Sequence, residues 1–167
     1  MTQNVDTFAE ECRSILSHGA STEDLDKVRV VVEKYLADDA FVQEHLGPDF
    51  DAVRDVLYED PDLGFCICRH VFKGENEAPP HDHGPTWAIY GQATGTTTMT
   101  EFEMVEPPHD DTPGRVTPTK TYDLAPGMAV AYPEGALHSP KRAGDTRLIR
   151  LEGKDVTKLK RDPYKLA

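Results

Sequence analysis

The chain has 167 residues, 38% of them hydrophobic and 29% charged, a composition that fits one globular domain long enough to bury a core. Its formal net charge of -12 excludes nucleic-acid and anionic-membrane binding as primary roles, because either surface would repel it. No apolar run is long enough to span a membrane and no signal-peptide pattern is present, so a cytoplasmic location is expected.

The first fifty residues read as helical. Thr7-x-x-Glu10 fits a capping box, followed by Phe8, Cys12, Ile15 and Leu16 at helical spacing, with Gly19 as a stop. Ser21-x-x-Asp24 opens a second helix whose Leu25, Val28, Val32, Tyr35 and Leu36 form one apolar stripe. A third, short helix from Ala40 to Leu46 ends at Gly47-Pro48. Amphipathic helices of this kind must pack against something, and the sheet that follows is the candidate.

From Val56 onward the pattern changes to short strands separated by turns rich in glycine and proline. Expected strands cover Phe65 to Phe72, Trp87 to Tyr90, Thr96 to Val105, Val116 to Leu124, Met128 to Tyr132 and Thr146 to Leu151. Lys73 to Pro80 and the acidic Glu106 to Gly114 read as loops, Gly91 to Gly95 and Pro133-Glu134-Gly135 as turns. The basic tail from Lys154 either holds a short helix or wraps the surface. Many short strands at regular spacing indicate an all-β sandwich or barrel. The expected division is one domain, with a helical segment at 1–50, a β-barrel at 51–153 and a tail at 154–167.

Three histidines stand out by their placement. His81 and His83 flank Asp82, and in extended chain they share a face while Asp82 points the other way, toward a turn hydrogen bond. His138 comes from a distant expected strand, close behind a turn. Three neutral imidazoles with positions left open suit a catalytic metal better than a closed structural one. His18, His45, His70 and His109 lack such company and read as ordinary polar positions. Trp87, an even number of residues from His83, packs in the core or walls a pocket. Tyr90 and Tyr132 could bring a phenol near the metal. Arg150 shares a strand face with Leu148 and Glu152, so it either pairs with an acid or, if that face lines the barrel, binds an anion. Cys12, Cys66 and Cys68 read as buried thiols, since Cys66 and Cys68 stand two apart with no second pair.

Gly127, Pro133, Gly135 and His138 match the spacing of the second motif of the cupin superfamily, and His81-x-His83 resembles its first. Where the first motif carries a glutamate, this chain has Trp87 and Ala88. Loss of that glutamate is a feature of the thiol dioxygenases, which include cysteine and 3-mercaptopropionate dioxygenase and hold iron through three histidines. The run from Pro80 to Gly91, and Arg54 to Pro61 upstream, resemble that branch, whereas its Ser-x-His-x-Tyr series is replaced here by Leu148 to Gly153. The chain is similar also to a three-histidine dioxygenase that cleaves β-diketones.

The resemblance implies a mainly β cupin jelly-roll barrel with the N-terminal helices packed on it, and His81, His83 and His138 as metal ligands. It implies Fe(II) as cofactor, with Ni, Zn or Mn as the other metals imidazole accepts. Arg54 lies near the position where this branch grips the substrate carboxylate; Arg54, Tyr90 and Arg150 are the catalytic candidates. The implied partners are O2, a small anionic thiol or diketone-like substrate, and a second copy in a homodimer. The alternatives are a non-redox isomerase or lyase using Zn, Mn or Ni, and a cupin that binds a small molecule without turnover.

Overall fold

The computed structural model describes residues 3–167. Three helices come first: α1 (Val5–Leu16), α2 (Thr22–Leu36) and α3 (Asp39–Leu46). The first begins a turn earlier than expected, because Asn4 rather than Thr7 is the cap. The Asn4 side chain accepts from Thr7 N, and the Thr7 hydroxyl accepts from Asn4 N, so Thr7 fills the place of the expected glutamate. The Ser21–Asp24 box caps α2 as expected, and all five residues of its stripe are buried.

Ten strands follow: β1 (Asp55–Glu59), β2 (Cys66–Phe72), β3 (Asn76–Glu77), β4 (Ala88–Thr94), β5 (Thr97–Glu106), β6 (Gly114–Leu124), β7 (Ala129–Tyr132), β8 (Leu137–Arg142), β9 (Thr146–Glu152) and β10 (Tyr164–Leu166). They form two sheets, in the orders β1-β2-β9-β4-β7 and β10-β6-β5-β8-β3. Every pair is antiparallel except β10 with β6. The chain crosses repeatedly between the sheets, as in a two-sheet jelly roll.

The first sheet is covered on both faces. Ile67, Trp87, Ile89, Ile149 and Leu151 turn outward and pack with Phe8, Val28, Val32, Tyr35 and Phe41 of the helices. The alternate residues Ala88 and Tyr90 turn inward, toward Met99, Leu124 and Tyr132. Cover on two faces leaves β2 and β9 buried along most of their length. The backbone N–H of Ala129 donates to Glu33, tying β7 to α2.

Two segments depart from expectation. The stretch Gly91 to Gly95 is not a turn; β4 runs on to Thr94, and Gly91 is where α2 presses against the sheet. A Cβ at Gly91 would stand 2.6 Å from Val32 Cγ1 and 2.9 Å from both Ile149 Cγ2 and Leu36 Cδ1. The presumed loop before Pro80 contains β3, a two-residue edge strand on β8. The tail wraps, as one of the two expected alternatives had it, through a 3₁₀ turn at Val156–Lys158 and then β10.

His70 is a core residue rather than an ordinary polar one, 2% exposed and stacked on Phe72. Its Nδ1 meets the Val53 carbonyl at 2.7 Å, while Nε2 has no partner. Burial, aided by nearby arginine charge, holds its pKa down to about 2. Cys12, Cys66 and Cys68 are buried free thiols, and burial pushes Cys66 up to about 11 and Cys68 up to about 12.

Two stability measurements follow. Gly91→Ala is expected to cost about 1–3 kcal/mol by overpacking, read from urea unfolding. His70 stays neutral when folded and protonates near its ordinary pKa when unfolded. Its contribution is therefore whole above about pH 6.5 and shrinks as pH falls below that, by up to about 1.4 kcal/mol per pH unit. In His70→Gln the acid limb of the stability–pH curve should be shallower by that amount.

Candidate metal centre

The site is built on one backbone pairing. His81 N donates to His138 O and His138 N donates to His81 O, both at 2.9 Å, so the two residues face each other across an isolated antiparallel bridge. Directly paired residues put their side chains on the same side of the sheet. His138 sits on β8, just after the turn at Pro133–Gly135, where Gly135 has φ +83°, a left-handed value that favours glycine. His81 and His83 lie in extended chain ahead of β4 rather than within a regular strand. The two-residue alternation still brings both rings inward.

All three rings present Nε2 to one point. His83 Nε2 and His138 Nε2 are 3.1 Å apart, and the three ligand atoms lie within 4.8 Å of one another. The Tyr90 hydroxyl stands 3.1 Å from His83 Nε2, 3.2 Å from His138 Nε2 and 3.5 Å from His81 Nε2. A tetrahedral ion with metal–nitrogen bonds of about 2.0–2.1 Å keeps its ligand atoms about 3.3 Å apart, so the spacing suits an ion at the centre.

The other ring nitrogen decides which form two of the imidazoles take. His81 Nδ1 donates to Pro79 O at 2.9 Å and His138 Nδ1 donates to Ala136 O at 3.1 Å. Each carbonyl lies two residues back in the chain and fixes the proton on Nδ1, leaving a bare lone pair on Nε2. Burial and the neighbouring imidazoles hold His83 and His138 well below the ordinary imidazole pKa, and burial lowers His81 as well. His138 Nε2 turns its lone pair toward His83 Nε2 at 3.1 Å, a contact that a proton or a cation between the two nitrogens completes. The donor set therefore fits a divalent ion, with imidazole ligands that suit Fe, Ni, Cu or Zn. Behind the ligands Tyr132 stacks on His138 at 3.9 Å and 6°.

One side of the cluster opens into a cavity of about 330 Å³, whose wall includes His81, Tyr90, Phe72, Pro140, Arg142, Arg150 and Arg161. Of the catalytic candidates, Tyr90 is at the centre and Arg150 is in this wall, its guanidinium over the Tyr90 ring at 5.5 Å. Arg54 is not in the wall. Its guanidinium makes a two-pronged pair with Glu152, at 2.6 and 3.2 Å, and reaches Asp155 at 3.1 Å. Arg150 Nε donates to the same Glu152 at 3.0 Å, the acid pair expected of it, and its place in the wall meets the condition set for the anion-binding reading. Arg54 acts behind the cavity, fixing the carboxylate that holds Arg150.

Trp87 packs against the helices instead of sharing a face with His83. The turn at Gly84, with φ +65°, breaks the alternation that counting by twos assumed. Asp82 does accept a turn bond, from Gly84 N at 3.0 Å. Arg142 and Arg161 were not singled out from sequence. A signal existed for Arg142: it lies four residues after His138 on the same strand, and even spacing puts it on the same face. Arg161 comes from the tail and carries no such signal.

No protein-family model matches the chain, and no curated protein matches it. Similar solved structures include a cupin superfamily protein from Desulfitobacterium hafniense, at 13% identity over 63% of this chain and 79% of that one, TM-score 0.46. KdgF from Halomonas sp. is similar at 19% identity over 59% and 74%, TM-score 0.43. An oxalate oxidase is similar at 16% identity over 63% and 53%, TM-score 0.45. Among the described residues no helix is long and apolar enough to cross a membrane.

Metal titration tests the site directly. Fe(II), added without oxygen, or Zn(II) should bind at one equivalent per chain. A thousand-fold excess over Kd should stabilise the fold by about 4 kcal/mol. His83→Ala should lose that stabilisation in a thermal melt while the metal-free stability changes little.

Proposed function

We propose that this chain is a mononuclear metal enzyme of the cupin kind: a non-haem Fe(II) dioxygenase that uses O2 on a small anionic thiol or diketone-like substrate in a reducing cytoplasm. The observation that carries the reading is the convergence of three neutral imidazoles, without a carboxylate, beside a cavity that His81 lines and whose wall is rich in arginine. Three imidazoles leave the ion's two positive charges uncompensated, which favours an anionic ligand. Bound Fe(II) would supply the electron chemistry that O2 requires.

The chain's own groups do the rest. The Tyr90 hydroxyl, pushed up in pKa by burial, stays protonated and can donate a hydrogen bond to a substrate atom arriving at the histidines. Arg150, with its Nε committed to Glu152 and its guanidinium over the Tyr90 ring, gives the cavity wall a fixed positive charge. Phe72, Pro79 and Pro140 give the wall apolar surface against which the body of a small substrate can pack.

A second reading, a non-redox isomerase or lyase with Zn, Mn or Ni, draws on Tyr90. Its hydroxyl within 3.5 Å of all three ligand nitrogens is placed to move a proton beside a Lewis acid. Anaerobic Fe(II) loading followed by oxygen-electrode assays on short thiols and β-diketones separates the two. Substrate-dependent O2 uptake, lost in His83→Ala and reduced about 10- to 100-fold in Tyr90→Phe, is expected. Turnover that needs no O2 and survives with Zn would replace the first reading by the second.

A further inference from the structure

The barrel interior holds two kinds of arginine. Arg54 and Arg150 share Glu152 and Asp155, so their charges balance inside one network. Arg142 has no such arrangement. It is 4% exposed, on β8, four residues beyond His138, and among the described residues it makes no ion pair. Its Nη1 donates to Asn76 Oδ1 at 3.2 Å, and its guanidinium lies 4.2 Å over the Phe72 ring. Its Nε, fully buried, donates to nothing.

A buried cation lacking a counter-ion is costly, and an orphaned donor adds to that cost. Burial accordingly draws the Arg142 pKa down to about 10. Asn76 and Phe72 hold the side chain in place, so it cannot escape to solvent. The same residue lines the cavity that His81 and Tyr90 line. A guanidinium held still with free donors matches a carboxylate, which it can grip with two parallel bonds.

We infer that Arg142 is an anion subsite in the cavity wall, built for the carboxylate of a small organic acid whose other end reaches the three histidines. The second half of that statement rests on the proposed metal function; the subsite itself does not. One buried guanidinium without an acid partner in a cavity of about 330 Å³ suits a head with one carboxylate on a short chain. It also makes Arg142, rather than Arg54, the residue that selects the acid.

Calorimetric titration of the full-length chain with acetate at constant ionic strength, metal-free and Zn(II)-loaded, tests the subsite, with acetamide as the uncharged isostere. Acetate is expected to bind the metal-free chain and acetamide is not. Arg142→Gln should weaken acetate binding by about ten-fold or more. In wild-type spectra the arginine Nε–H resonance that is missing from Arg142→Lys should move on acetate addition, which decides the matter even if Arg142→Gln does not fold. Unchanged acetate affinity in Arg142→Gln, loss in Arg161→Gln instead, a preference for inorganic phosphate, or no acetate binding at all would each overturn the subsite. A chain that binds acetate through Arg142 yet takes up no metal keeps the subsite and ends the metal reading. One that takes up metal and ignores acetate ends the subsite alone.

Discussion

The pair of backbone hydrogen bonds between His81 and His138 is the constraint on which the centre depends. Neither residue would be a ligand of the same ion without it, since the two are far apart in sequence and His81 is outside any regular strand. The bridge sets the two rings side by side, and carbonyls two residues upstream lock both tautomers. Backbone thus fixes both position and protonation of these side chains. A site held this way loses little entropy when an ion arrives, because the rings are already immobile.

The second organising element is the carboxylate of Glu152, fully buried at the end of β9. It accepts from Arg54, Arg150 and the Val156 backbone, so every bond it can make in that setting is made. An unpaired charge there would be prohibitive, and a paired one is tolerable only when satisfied this fully. Through Glu152 the tail is tied to the barrel, and the cavity keeps one arginine neutralised beside another that is not. That contrast leaves positive charge in the cavity wall although the overall charge of -12 points the opposite way.

Much of the molecule was legible in advance, for identifiable reasons. The α2 stripe and the Ser21–Asp24 cap rest on local geometry alone, and so came out residue by residue. His81, His83 and His138 were legible because strand alternation and a glycine-proline turn are short-range rules. Failures came where long-range packing overrode a local signal. Gly91 looked like a turn residue, yet it is glycine because a helix lies against it. Of the two places open to Trp87, the core and a pocket wall, packing against the helices chose the core. Arg54 was read by analogy as a substrate contact, and instead it is spent on Glu152 and Asp155.

By itself, then, the sequence determined the layered all-β architecture, the helices and the identity of the three imidazoles, all of which follow from periodicity and turn chemistry within a few residues. Only the tertiary structure decided which arginine is compensated, which nitrogen of each histidine faces the centre, and where the cavity opens. Those depend on distances between residues 60 to 100 positions apart, such as Asn76 with Arg142 and Arg54 with Glu152. Charge balance and lone-pair direction are properties of neighbours in space, and no reading of neighbours in sequence contains them.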